Sequence, residues 1–157
     1  MKSTGNNGTK NFWIAAAAVA VIFITASACS HLGMMFGSGA ARPAENEFGL
    51  GPRTSPTGIY TATIEISQPL KPRRMQTVQL EIRDKAGRPV EAATITVDGG
   101  MPEHGHGLPT QPRVTRHLGN GIYTVEGVRF NMGGWWELKF GITTPMGTET
   151  VTFNLAL

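Results

Sequence analysis

From Tyr60 to Leu155 apolar and polar residues alternate with a period of two, and that alternation restricts the chain to β-structure more firmly than any other feature. Successive side chains of a strand point to opposite faces, so each alternating run is a strand with one buried and one solvated face. Tyr60, Ala62, Ile64 and Ile66 alternate with Thr61, Thr63 and Glu65, and Val78, Leu80 and Ile82 with Gln79, Glu81 and Arg83. Ala93, Ile95 and Val97 follow, then a weaker strand around Val114, then Tyr123 with Val125, and Val128 with Phe130 and Met132. Trp136, Leu138, Phe140 and Ile142, then Val151, Phe153 and Leu155, complete the inner faces. The same parity turns Trp135 outward, and places His117 with Arg113 and Thr115 on a solvated face. Turns are expected at 84–89, at Gly119-Asn120-Gly121, whose residues tolerate positive φ, and at 143–147. About seven short antiparallel strands and no helical pattern beyond the N-terminal segment predict an all-β, immunoglobulin-like sandwich over residues 58–157, with a small barrel as the alternative.

The N-terminal part of the chain reads differently. Lys2 and Lys10 precede an uncharged run, Trp13 to Ala28, whose apolar centre has the length of a secretory signal core. A permanent span needs about 20 apolar residues, which this run reaches only with help from the residues after it. Residues 1–29 are therefore expected to be a signal peptide or a membrane anchor, directing the domain outside the cytoplasm, to the periplasm or the cell surface. The run closes on Ala26-Ser27-Ala28-Cys29, which fits small-residue cleavage and resembles a relaxed lipobox. Cys29 is the only cysteine. An intrachain disulfide, a dithiol redox motif and a thiolate zinc cluster are thus excluded, and lipidation at Cys29 is the expected use of the thiol. Ser30 to Thr57 holds five glycines and three prolines without apolar periodicity and is expected to be a flexible linker. A coil of that length would hold the domain on the order of 30 Å from the membrane.

From Gly58 onward ten Lys and Arg stand against nine Asp and Glu, so nucleic-acid binding is not indicated. The one local basic cluster, Lys71-Pro72-Arg73-Arg74, suits a solvated loop or a weak contact with anionic lipid.

Chemistry concentrates in Met101-Pro102-Glu103-His104-Gly105-His106-Gly107. In an extended segment His104 and His106 can point to one side, and the soft sulfur of Met101 biases such a site toward copper over magnesium or calcium. The bland reading is an exposed turn with idle histidines. His31, Met34 and Met35 could add donors but sit beside the expected membrane anchor. Catalysis is not expected: there is no Gly-x-Ser-x-Gly elbow, no His-Glu-x-x-His helix and no thiol nucleophile in the domain.

The histidine loop, the Gly119-Asn120-Gly121-Ile122-Tyr123 turn and the run from Val128 to Leu138, with Phe130, Met132, Gly133, Gly134 and Trp135-Trp136, together resemble the YtkA-like domain family, which is related to FixH-type proteins. The Trp135-Trp136 pair lacks a spacing residue that the family pattern carries. The resemblance implies an extracytoplasmic sandwich, often membrane-anchored or lipidated, in settings of copper handling or cytochrome oxidase assembly. Carried over residue by residue, it marks Met101, His104, His106 and Met132 as candidate ligands; two imidazoles with one or two thioethers suit Cu(I), and a loop at the edge of a sandwich could hand copper to a protein partner. The competing expectation is a metal-free adaptor domain that binds a protein through the 99–112 loop and Trp135.

Overall fold

The structure is a computed structural model that describes residues 40–157. The expected signal or anchor segment, Cys29, His31, Met34 and Met35 lie outside the described residues. Nine strands follow one short 3-10 turn at Glu45–Glu47. They are β1 (Arg53–Thr54), β2 (Tyr60–Glu65), β3 (Gln76–Asp84), β4 (Thr94–Met101), β5 (His106–Gly107), β6 (Arg113–Gly119), β7 (Ile122–Val128), β8 (Trp135–Thr144) and β9 (Gly147–Ala156). One sheet has the order β1-β2-β3-β7-β6 and the other β5-β4-β8-β9, with every strand pair antiparallel. Setting aside the two-residue edge strands β1 and β5, these orders are those of a constant-type immunoglobulin sandwich.

The alternation accounts for the core. Tyr60, Ala62, Ile64, Val78, Leu80, Ile82 and Val125 of one sheet meet Leu138, Phe140, Ile142, Val151, Phe153 and Leu155 of the other, all buried. Phe140 and Phe153 meet edge to face, with centroids 5.8 Å apart. The aromatic hydroxyls inside are satisfied: Tyr60 donates to Gly147 O at 2.6 Å and Tyr123 to Val90 O at 2.7 Å. The β6–β7 hairpin turns at Asn120 and Gly121, with φ of 53° and 73°. Positive φ at both central residues matches the right-handed twist of the strands, which is why Asn-Gly occupies them.

Three expectations from parity are corrected. Trp135 does not face solvent: it is 1% exposed and donates from Nε1 to Asn154 Oδ1 at 3.0 Å. It lies outside the inter-sheet cluster, and the chain before β1 packs beside its partner, Phe48 bridging Asn154 and the Gly49 N–H donating to Asn154 O. His117 is exposed, as expected, but not by the parity it was assigned with Arg113. The β6–β7 register slips between Val114 and Arg116, which shifts parity by one and sets His117 opposite the buried Tyr123. Met132 is not on a strand, since β7 ends at Val128 after Gly127 takes φ of 84°, and it is 41% exposed.

Residues 45–57, within the stretch expected to be a linker, also carry structure. The 3-10 turn, the Phe48–Asn154 bridge and strand β1, paired with Thr61 and Ala62, extend the packed unit N-terminal to Gly58.

Candidate metal centre at the histidine end

The histidine loop is formed where β4 turns back into β5. The N–H groups of His104 and Gly105 both donate to Met101 O, at 3.1 and 2.9 Å, and Gly105 takes φ of 64°. β5 then pairs with the end of β4, His106 opposite Met101 and Gly107 opposite Gly100. The approach depends on glycine: a Cβ on Gly100 would stand 2.5 Å from the His106 carbonyl oxygen, and one on Gly99 would collide with Glu137 O. These glycines position the loop, and only the close packing of three strands shows it.

His104 and His106 are both exposed, and their rings lie nearly parallel, 6.1 Å between centroids and 11° between planes. A metal–imidazole bond is about 2.0 Å, so with a ring radius of about 1.2 Å two trans imidazoles on one ion have centroids roughly 6.4 Å apart. Imidazole lone pairs lie in the ring plane, so these stacked rings hold no ion between their faces; the spacing is of the right scale, and a shared ion requires both side chains to turn a nitrogen toward it. Glu103 points elsewhere, its Oε1 3.8 Å from Arg42 Nη1 across an exposed pair. Such a pair adds little to stability, though it ties the entering chain to this loop.

The loop between β7 and β8, residues 129–134, closes on the same end of the sandwich. Phe130 is buried against Trp136, centroids 5.2 Å apart, and the Trp136 indole N–H donates to Met132 O at 3.0 Å. Gly134, at φ of 126°, leaves room for Met101, whose Cε would lie 2.8 Å from a Cβ there. The fold thus gathers all four expected ligands at one end, but unequally. His104, His106 and Met132 are exposed, whereas Met101 is 1% exposed and packed in the core. Among the described residues no group of three or more His, Cys, Asp and Glu side chains converges, so a site here has two imidazoles and thioether sulfur as its donors.

His117 belongs to a different place. It stacks on Tyr123 at 4.4 Å with Nε2 3.2 Å from Glu91 Oε2, close to the Asn120–Gly121 turn. Burial, with a smaller push from the Glu91 charge, holds the Tyr123 phenol above its ordinary pKa.

Residues 56–141 match the sequence pattern of the YtkA-like family, more than half of the chain. The chain belongs to the YtkA-like family. The match takes in the histidine loop, the Asn120–Gly121 turn, Met132 and the tryptophan pair, and ends within β8. Among curated proteins none matches significantly. Among solved structures, the YtkA-like chain is similar to one described as "ZirS C-terminal Domain", with 15% identity, a TM-score of 0.38, and 92% of this chain and 97% of that one covered.

Proposed function

We propose that this YtkA-like domain is an extracytoplasmic, membrane-tethered module that binds copper, preferring Cu(I), and passes it to a protein partner in copper handling or oxidase assembly. The observation that carries the reading is the pair of exposed, nearly parallel imidazoles 6.1 Å apart at the end of a rigid sandwich. Two imidazoles with an exposed thioether form a soft, under-coordinated donor set that suits Cu(I), while Cu(II) would draw on the imidazoles alone. Zinc in a structural site wants four ligands, commonly thiolates, and the domain has no thiol. A two- or three-donor site on an accessible loop also suits transfer, because an incoming ligand from a partner can replace a donor without unfolding anything. No catalytic step is required of it. The second reading, a metal-free adaptor, draws on the burial of Met101, which leaves the loop one thioether short of the full expected set.

A chelator-competition titration of the full chain with Cu(I) separates the two. The copper reading expects one ion per chain, abolished by His104→Ala with His106→Ala, and weaker binding as pH falls because protons compete for the imidazoles. Equal affinity in the native and double-histidine proteins would leave the adaptor reading standing. The tether is tested by fatty-acid labelling: incorporation lost in Cys29→Ser supports lipidation, and an unlabelled but membrane-bound native chain points to an uncleaved anchor instead.

A further inference from the structure

The histidine end carries a second feature that copper binding does not use. The loop between β2 and β3, residues 66–75, projects from this end, held by the Arg73 N–H donating to Phe130 O at 2.7 Å. Gln76 clamps its base, accepting from the Lys71 N–H at 2.8 Å and donating to Lys71 O at 3.1 Å. Arg73 takes φ of 62°, a conformation uncommon for a non-glycine residue. The loop is therefore a built presentation of its tip, where Lys71, Arg73, Arg74 and Met75 are all exposed, Met75 at 63%. Among the described residues no carboxylate pairs with any of these three cations.

Beside the basic tip lies a cleft of about 380 Å³ with an apolar lining that includes Phe48, Leu70, Leu155 and Leu157. Leu70 and Pro69 also border the hollow that holds Lys71, Arg74 and Met75, so the cations and the apolar cleft form one continuous face. The described chain enters the domain at this face: Arg42 reaches Glu103 and Phe48 lines the cleft. Beyond residue 40 the sequence runs back toward the apolar stretch Trp13 to Ala28.

We infer that this end of the domain docks on an anionic lipid surface, with Lys71, Arg73 and Arg74 at the headgroups and Met75 and the Leu70 side of the cleft against the acyl boundary. Cations without a carboxylate partner, beside the exposed Met75 and the half-buried apolar cleft, are complementary to an anionic bilayer, which attracts the former and takes up the latter. The attachment of the entering chain at the same end lets a short tether bring this face to the membrane. Docking would hold the histidine loop next to membrane-embedded partners. The inference stands independently of whether the loop binds copper.

The test is hydrogen–deuterium exchange of the full chain reconstituted in vesicles of phosphatidylglycerol with phosphatidylcholine, in vesicles of phosphatidylcholine alone, and in detergent. Whichever anchor the chain carries, lipid on Cys29 or the N-terminal apolar run, is the same in every arm, so the comparison of the two vesicles isolates the surface charge. Amides of residues 67–75 should exchange at least about fivefold more slowly on the anionic vesicles, because each basic side chain near such a surface adds about fivefold to partitioning. Lys71→Glu with Arg74→Glu, two exposed changes, should remove the protection, and so should high salt. Equal exchange on both vesicles overturns the inference. Protection that persists in detergent also overturns it, since the face would then be covered by the chain itself or by a second copy.

Discussion

Met101 packs its methyl group into the space that a Gly134 side chain would fill, whereas Met132 stands 41% exposed, so the two thioethers answer differently to substitution. Met101→Ala should cost about 2–5 kcal/mol in urea denaturation, the range for emptying a fully packed site. Met132→Leu should change stability by less than about 0.5 kcal/mol, as exposed substitutions do, while weakening Cu(I) more than Cu(II). The reverse pattern would make Met101 the working ligand and require the core to open. Asp84 offers a check on the turn at the far end of β3. Its carboxylate accepts from the Arg88 and Ala86 N–H groups at 3.0 and 2.8 Å and from the Arg88 guanidinium at 2.8 Å. The Arg88 backbone bond first, then its side chain, holds the carboxyl below the usual range. A depressed folded-state pKa contributes stability above the unfolded value, about 3.9 for Asp, and loses it as pH falls through the folded value. Asp84→Asn should therefore melt below the native protein at pH 7, with the gap narrowing as pH drops below about 4, a trend that thermal melts across pH would show.

At the scale of elements, what the period-two pattern could reveal was which side of each strand is buried, and for β2, β3 and β9, and for β8 from Trp136 onward, it did so residue by residue. It failed where a single residue shifts the register. The β6–β7 slip after Val114 carries no sequence mark of its own, because a bulge is selected by the twist of the assembled sheet. Trp135 was misread for a related reason: parity says which face a side chain takes but not what later covers that face, and here the polar indole N–H is met by Asn154. The histidine loop was legible as residue types, while its geometry was not, since it depends on Gly99 and Gly100 admitting two neighbouring backbones. Gly100→Ala should accordingly push β5 away from β4. The expected outcome is a loss of Cu(I) affinity with weakened amide protection at 106–107 and an otherwise native fold by circular dichroism. Unchanged affinity would mean that the loop geometry is irrelevant to binding.

For the molecule as a whole, the sandwich was legible because nearly every inner position is apolar and nearly every turn carries a residue suited to it. The two-residue strands β1 and β5 were not, because a pair of residues has no periodicity to read. Neither was the ordered path of residues 45–57, whose glycines and prolines suit a coil as well as a chain laid along β9. The convergence of the histidine loop, the Met132 loop and the basic 66–75 loop on one end is a product of topology, and no local pattern announces it. The proposed copper site therefore rests on the end face as a whole rather than on any single residue. X-ray absorption of the Cu(I)-loaded full chain tests it most directly. Two imidazole nitrogens at about 2.0 Å and a sulfur near 2.3 Å are expected, the nitrogen shell vanishing in His104→Ala with His106→Ala and the sulfur in Met132→Leu. A first shell without imidazole scattering, or one unchanged by the double-histidine substitution, would contradict it.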